Sequence, residues 1–124
     1  MNVAYVDTSC LVAVALSEPG HEGLVRRLRE FDQLFSSNLA EAELRSALSR
    51  EKLEGGERLL EGIDWVFPGQ ALSARFEEVL EHGHQRGADL FHLACALHLR
   101  EAVGELAFVT VDRRQQAAAR ALGM

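Results

Sequence analysis

Two apolar, β-branched runs in this chain each stop at an aspartate, and a helical pattern begins just beyond it. "AYVDTS", residues 4–9, ends on Asp7, and "FVTVDRR", residues 108–114, ends on Asp112, each with a threonine close by. The run from Asn2 to Asp7 is too continuously apolar to keep a solvent face, which is how a strand covered on both sides of a parallel sheet reads. In such a sheet ligands bind beyond the carboxyl ends of the strands, which is where both aspartates fall.

The rest of the chain alternates in the same way. Thr8 or Ser9 caps a helix running to about Leu16, "SEPGHEG" is a turn, and Leu24, Leu28 and Phe31 mark a second amphipathic helix beside the exposed Arg26, Arg27 and Arg29. "QLFSS" (33–37) is a short strand and "NLAEAELRSALSREK" (38–52) a helix that "EGGE" breaks. "RLLEGI" makes a helical turn or two, "DWVFPG" (64–69) a third strand, and Leu72 to Gln85 a helix that Gly87 separates from the next. "ADLFHLACALHLREAV" (88–103) is apolar around most of its circumference, as a helix packed between layers should be. "ELAFVTVD" (105–112) is the last strand and "RRQQAAARALGM" the closing helix. Strands alternating with helices predict an α/β sandwich around a short, mainly parallel sheet. A length of 124 residues with 48% apolar content suits one domain over residues 1–124.

If the strands ending at Asp7 and Asp112 are neighbours, roughly 5 Å apart, their carboxylates repel and something must compensate them. Taken singly, each reads as a helix cap. Two further acids weaken that reading. Glu43 lies near the apolar side of its helix, whereas Glu41 and Arg45 can be solvated, and Asp89 opens the most apolar helix, either as a cap or as part of a site. An acid among apolar neighbours is costly unless it is paired or ligates a metal. Asp7, Glu43, Asp89 and Asp112 together would make an oxygen-only set suited to Mg²⁺ or Mn²⁺ rather than zinc. Such a site serves phosphodiester hydrolysis.

At these residues the chain resembles the PIN-domain family, and most closely the VapC-type toxins of bacterial and archaeal toxin–antitoxin pairs. "YVDTS" is similar to the family's first motif, "SNLAEAEL" to its helix with the second acid, "DLFHLACAL" to its third, and "FVTVDRRQQAAARALG" to its fourth acid with the closing helix. The resemblance implies a three-layer α/β/α sandwich and a Mg²⁺- or Mn²⁺-dependent endoribonuclease, with Asp7, Glu43, Asp89 and Asp112 as the catalytic and metal-binding quartet. Thr8, Ser9 and Thr110 resemble the small hydroxyl residues that support it, Thr110 acting through the acids rather than on the metal. The implied partners are RNA, a small VapB-like antitoxin and a second copy of the chain.

Nineteen acids against thirteen bases, a net charge of −6, argue against gripping nucleic acid on a broad basic face. Local arginines would do it instead, with Arg45, Arg113 and Arg114 as candidates. Twelve of the thirteen bases are arginine and Lys52 is the one lysine. No signal peptide and no run of ~20 apolar residues is legible, so a cytoplasmic protein that does not engage a membrane is expected. Cys10 and Cys95 read as reduced core thiols. His82 and His84 read as a solvated helix end, His92 as a hydrogen-bonded core histidine, and Trp65 and Phe67 as core or partner surface.

A receiver domain would need paired acids after its first strand and a late lysine, which "VDTS" and Lys52 do not provide. An aspartyl-nucleophile phosphatase would carry a second Asp where this chain has Ser9. The alternative that survives is a catalytically inactive PIN-like module binding RNA or protein; within the enzyme reading, DNA stays open as a substrate, since no residue pattern recognises a 2′-hydroxyl.

Overall fold

In the computed structural model, which describes residues 1–124, four strands form one sheet. These are β1 (Val3–Val6), β2 (Gln33–Ser37), β3 (Asp64–Val66) and β4 (Ala107–Val109), ordered β3-β2-β1-β4 with every neighbouring pair parallel. The helices are α1 (Thr8–Ala15), α2 (His21–Leu28), α3 (Asn38–Arg50), α4 (Glu57–Glu61), α5 (Ser73–Leu80), α6 (Gly87–Val103) and α7 (Arg113–Ala121).

The chain steps from β1 to β2 to β3 in one direction, then returns past β1 to lay β4 on its other side. Right-handed crossovers made in opposite directions place their helices on opposite faces. The two cores follow this rule. Ala4 and Val6 point into a cluster with Leu11, Leu28, Leu44 and Leu60 from α1 to α4. Val3 and Tyr5 point the other way, against Val79, Leu93, Leu97 and Ala119 from α5, α6 and α7. Strict alternation along β1, with all four residues buried, is what a strand between two helical layers requires. The expected three-layer α/β/α sandwich is therefore present, and its sheet is wholly parallel.

α6 packs as its composition predicts, with His92 to Leu97 buried without interruption. Gly104, at φ +80°, ends it in a conformation that costs glycine little. Both cysteines are buried and unpaired. No helix is long and apolar enough to cross a membrane.

The differences from expectation lie at element ends. β3 stops at Val66, before Pro68, which has no N–H to give a ladder, and Phe67 is left 67% exposed. β4 ends at Val109 because the following residues turn to cap α7. The helix expected to reach Gln85 ends at Leu80, and Gly83 at φ +128° carries the chain through a loop instead. The cap of α1 is Asp7, not Thr8 or Ser9: its Oδ1 accepts the Cys10 N–H while Thr8 already has helical geometry. Asp89 is not a cap either, because Arg86 holds that position and Asp89 sits in the first turn of α6.

Candidate active site

The strand order reverses between β1 and β4, which makes the carboxyl ends of these two strands the switch point where a parallel sheet is expected to bind its ligand. The Asp7 N–H donates to the Val109 carbonyl at 3.1 Å, extending the ladder by one bond and tying the first acid to β4. Asp7 is only 2% exposed. Thr110 Oγ1 donates to its Oδ2 at 2.7 Å, Ser9 Oγ lies 2.8 and 2.9 Å from its two oxygens, and the Cys10 N–H reaches Oδ1 at 3.1 Å. Burial nevertheless holds the Asp7 pKa above the ordinary carboxylate value, against the lowering pull of Thr110, Cys10 and Ser9 and the charge of His92. This carboxylate keeps its negative charge at a cost that a nearby cation would remove.

Asp112 ends the neighbouring strand with a different set of partners. Its N–H donates to Thr110 Oγ1 at 3.0 Å, and its Oδ1 accepts the N–H groups of Arg114 and Gln115 at 2.8 and 3.1 Å, capping α7. Oδ2 has no partner in the protein. Thr110 thus touches the side chain of one acid and the backbone of the other. Its single hydroxyl proton belongs to Asp7, the shorter and charge-assisted contact.

Glu43 arrives from α3, whose start is fixed by Ser37 Oγ accepting the Ala40 N–H. A one-way chain of donors ends on it. Tyr5 O–H donates to His92 Nδ1 (2.8 Å), His92 Nε2–H to Thr8 Oγ1 (3.0 Å), and Thr8 O–H to Glu43 Oε1 (2.8 Å), with His92 Nε2 also 3.4 Å from that oxygen. The direction follows from counting protons, since Thr8 spends its one proton on the carboxylate and can only accept from the imidazole. Burial pushes the Tyr5 hydroxyl well above its usual pKa, which keeps it a donor. The hydrogen bond from His92 holds the half-buried Glu43 below the usual carboxylate range, with Thr8 helping and burial opposing.

Asp89 is partly exposed and its carboxylate makes no hydrogen bond, but its carbonyl accepts Gln115 Nε2 at 3.4 Å. Gln115, 1% exposed, also donates its backbone N–H to Asp112 Oδ1, so it joins the Asp89 backbone to Asp112. The expected quartet therefore divides between two hydrogen-bonded sets, Glu43 with Thr8 and His92, and Asp7 with Ser9, Thr110, Asp112 and Gln115, to which Asp89 contributes its backbone carbonyl; the chain itself joins them between Asp7 and Thr8. The four acids do not form a ready cation cage: no group of three or more acids, histidines or cysteines stands in the arrangement that holds a metal. The donors are nonetheless hard oxygens with free lone pairs on Asp89 and Asp112 and an over-buried charge on Asp7, a set that fits Mg²⁺ or Mn²⁺.

Of the candidate arginines, Arg45 is held by Glu41 at 2.9 Å on the exposed side of α3, whereas Arg113 and Arg114 make no ion pair. Gln115 and Tyr5 escaped the sequence reading. Nothing distinguishes Gln115 from Gln116 in "RRQQAAA", but a tyrosine inside a wholly apolar strand needs a partner for its hydroxyl, and that signal was present.

The chain is 33% identical over 127 residues to ribonuclease VapC46 of Mycobacterium tuberculosis (strain ATCC 25618 / H37Rv), an alignment covering all of this chain and 95% of that protein. The PIN domain model matches residues 4–121, from β1 to the end of α7 and so across all four acids. With that match, on a parallel sheet whose switch point carries those acids, the chain belongs to the PIN domain family.

Proposed function

We propose that this protein is a divalent-metal-dependent endoribonuclease, a single PIN-like domain over residues 1–124 serving as the toxin of a type II toxin–antitoxin pair. The observation that carries the reading is the buried, multiply bonded Asp7 at the switch point, linked through Thr110 to Asp112, with the next residue in the chain, Thr8, holding Glu43. A helix cap alone requires neither that burial nor those partners. The similarity to a ribonuclease along the whole chain supports RNA as the substrate and a VapB-like protein as antitoxin.

Asp7, Glu43, Asp89 and Asp112 are the residues to hold Mg²⁺ or Mn²⁺. Such an ion supplies neutralisation of the acids, polarisation of a phosphoryl oxygen and a more acidic attacking water. The protein's own part is preorganisation. Ser9 and Thr110 fix the Asp7 carboxylate, Thr8 and His92 fix one oxygen of Glu43 and leave the other free, and the α7 backbone does the same for Asp112. Side chains locked in this way lose little freedom when a substrate arrives.

Incubating the metal-stripped protein with labelled RNA and DNA, then adding Mg²⁺ or Mn²⁺, tests the reading. Cleavage of RNA only after metal addition is expected. Binding without turnover would establish the inactive module instead, and preferential DNA cleavage would reassign the substrate. Homodimerisation and antitoxin binding have surface to use, since Leu53, Phe67, Leu80 and Val103 are all exposed. Sedimentation at micromolar concentration should show a dimer, and a monomer that copurifies with nothing from its neighbouring gene would count against both partners. A cytoplasmic location completes the proposal.

A further inference from the structure

Between the loop joining α5 to α6 and one face of α7 lies a cleft of about 260 Å³, lined by His82, His84, Gln85, Arg114, Ala117 and Ala118. Arg114, Ala117 and Ala118 share a face of α7 at helical spacing, and the two alanines keep the floor open. Gly83, at φ +128° with nothing within 4 Å of where a Cβ would stand, lets the loop turn over the cleft.

Gln85 is the informative wall. It is 9% exposed, yet its side chain makes no hydrogen bond within the protein. No inaccessible side-chain nitrogen or oxygen lacks a partner, so the amide of Gln85 reaches solvent, and the cleft it lines is the route. A largely desolvated amide with no partner has its full donor and acceptor capacity available to a ligand. Arg114 is likewise uncommitted: in a chain of net charge −6 its guanidinium makes no ion pair. The cleft adjoins the acids. The Arg114 N–H is bonded to Asp112 Oδ1, Gln85 directly precedes the Arg86 cap of α6, and Asp89 sits in that helix's first turn.

A guanidinium on the α7 side, with an imidazole and an amide on the loop side, matches a nucleotide unit, with the phosphate between Arg114 and His84 and a base edge or 2′-hydroxyl on Gln85. We propose that this cleft is a subsite for the RNA nucleotide flanking the scissile phosphate, with Arg114 and His84 holding its phosphate and Gln85 reading its base or ribose. The inference rests on the ribonuclease reading above. It also explains how an acidic protein grips an anionic substrate, by placing an uncommitted guanidinium beside the acids rather than positive charge across a broad face.

Steady-state cleavage of a fluorescein-labelled RNA of mixed sequence, with Mn²⁺ present, provides the test. Arg114→Gln should raise KM about tenfold, leave kcat unchanged and reduce the slope of log affinity against log salt by about one. Gln85→Leu should raise KM for RNA with the salt slope unchanged, and His84→Gln should raise KM less than Arg114→Gln does. Ala117→Glu, at an exposed position, puts a negative charge in the cleft and should raise KM even if Gln85→Leu fails to fold. Calorimetric Mn²⁺ binding should match the parent in every variant. If the parent cleaves RNA and all variants keep its KM, the cleft is no subsite while the ribonuclease reading stands. If kcat and Mn²⁺ affinity fall together, the residues act through the acids and the inference is overturned. A parent that cleaves no RNA removes both readings.

Discussion

The ends of β1 and β4 begin from the same local arrangement, an apolar strand, an aspartate and a helix, and both aspartates cap the helix that follows. Beyond that they diverge. Asp7 is 2% exposed and is surrounded by Ser9, Thr110 and the Cys10 N–H, while Asp112 is partly exposed, is bonded only to backbone N–H groups and keeps Oδ2 free. The cause is position in the sheet. β1 lies between β2 and β4 and is covered on both faces, whereas β4 is an edge strand. Capping by itself therefore does not fix an acid's environment, and what surrounds the cap separates the two acids.

The largest expected effect treats the two ends alike. Asp7→Asn and Asp112→Asn should each abolish RNA cleavage, because each removes a charge that the proposed ion needs, while Asn still caps. Retained activity in either variant would remove that residue from the site. Stability should then separate them. Metal-free Asp7→Asn should be as stable as the parent or more so, having lost a desolvated charge, while Asp112→Asn should stay within about 0.5 kcal/mol. Added Mg²⁺, worth about 2.7 kcal/mol to the parent at a hundred times its Kd, should stabilise Asp7→Asn less at the same concentration. Equal melting shifts in both proteins would leave Asp7 as a cap and nothing more.

Thr110→Val probes the residue shared by the two ends. It removes the donor to Asp7 and the acceptor of the Asp112 N–H while keeping volume, and should lower Mn²⁺ affinity or activity about 10- to 100-fold. Calorimetry on the folded variant decides this, and unchanged affinity would show that Thr110 serves packing alone.

A smaller effect is the pH dependence of metal-free stability. Asp7 has a raised pKa, so the folded state holds its proton more tightly; that contribution is complete below the unfolded value and is lost as pH rises through the folded one. Glu43 has the opposite sign. Its lowered pKa gives stability present above the ordinary carboxylate value and lost as pH falls through the folded value. Denaturant titrations from pH 3 to 7 should therefore show Asp7→Asn gaining on the parent toward neutrality and Glu43→Gln gaining on it toward acid. Parallel curves would contradict the environments described for both carboxylates.

The smallest is Tyr5→Phe, which cuts the donor chain at its start. It should cost about 1 kcal/mol of stability by freeing His92 Nδ1 inside the core, and less activity than Thr110→Val, because Thr8 still donates to Glu43.

Much of this was readable along the chain because it is local. The strand "QLFSS" has the bounds expected for it, since Ser37 both ends β2 and caps α3, and the α6 pattern identifies a buried helix without tertiary information. The four acids were picked out by residue type and by place in the strand and helix pattern. Local signals misplaced the cap of α1, because Asp7, Thr8 and Ser9 are all good capping residues and only the backbone geometry separates them. They also ran the fifth helix through Gly83 into the loop that carries Gln85.

What the sequence by itself determined, then, is the alternation of strand and helix, the two covered faces of β1 and an acid at the carboxyl end of two strands, all consequences of periodicities a few residues long. Only the tertiary structure decided which aspartate is desolvated, which hydroxyls hold it and which arginine is left uncommitted. Asp7 meets Thr110 across 103 residues and Thr8 meets His92 across 84, and partners at that range come together only through the order of strands in the sheet.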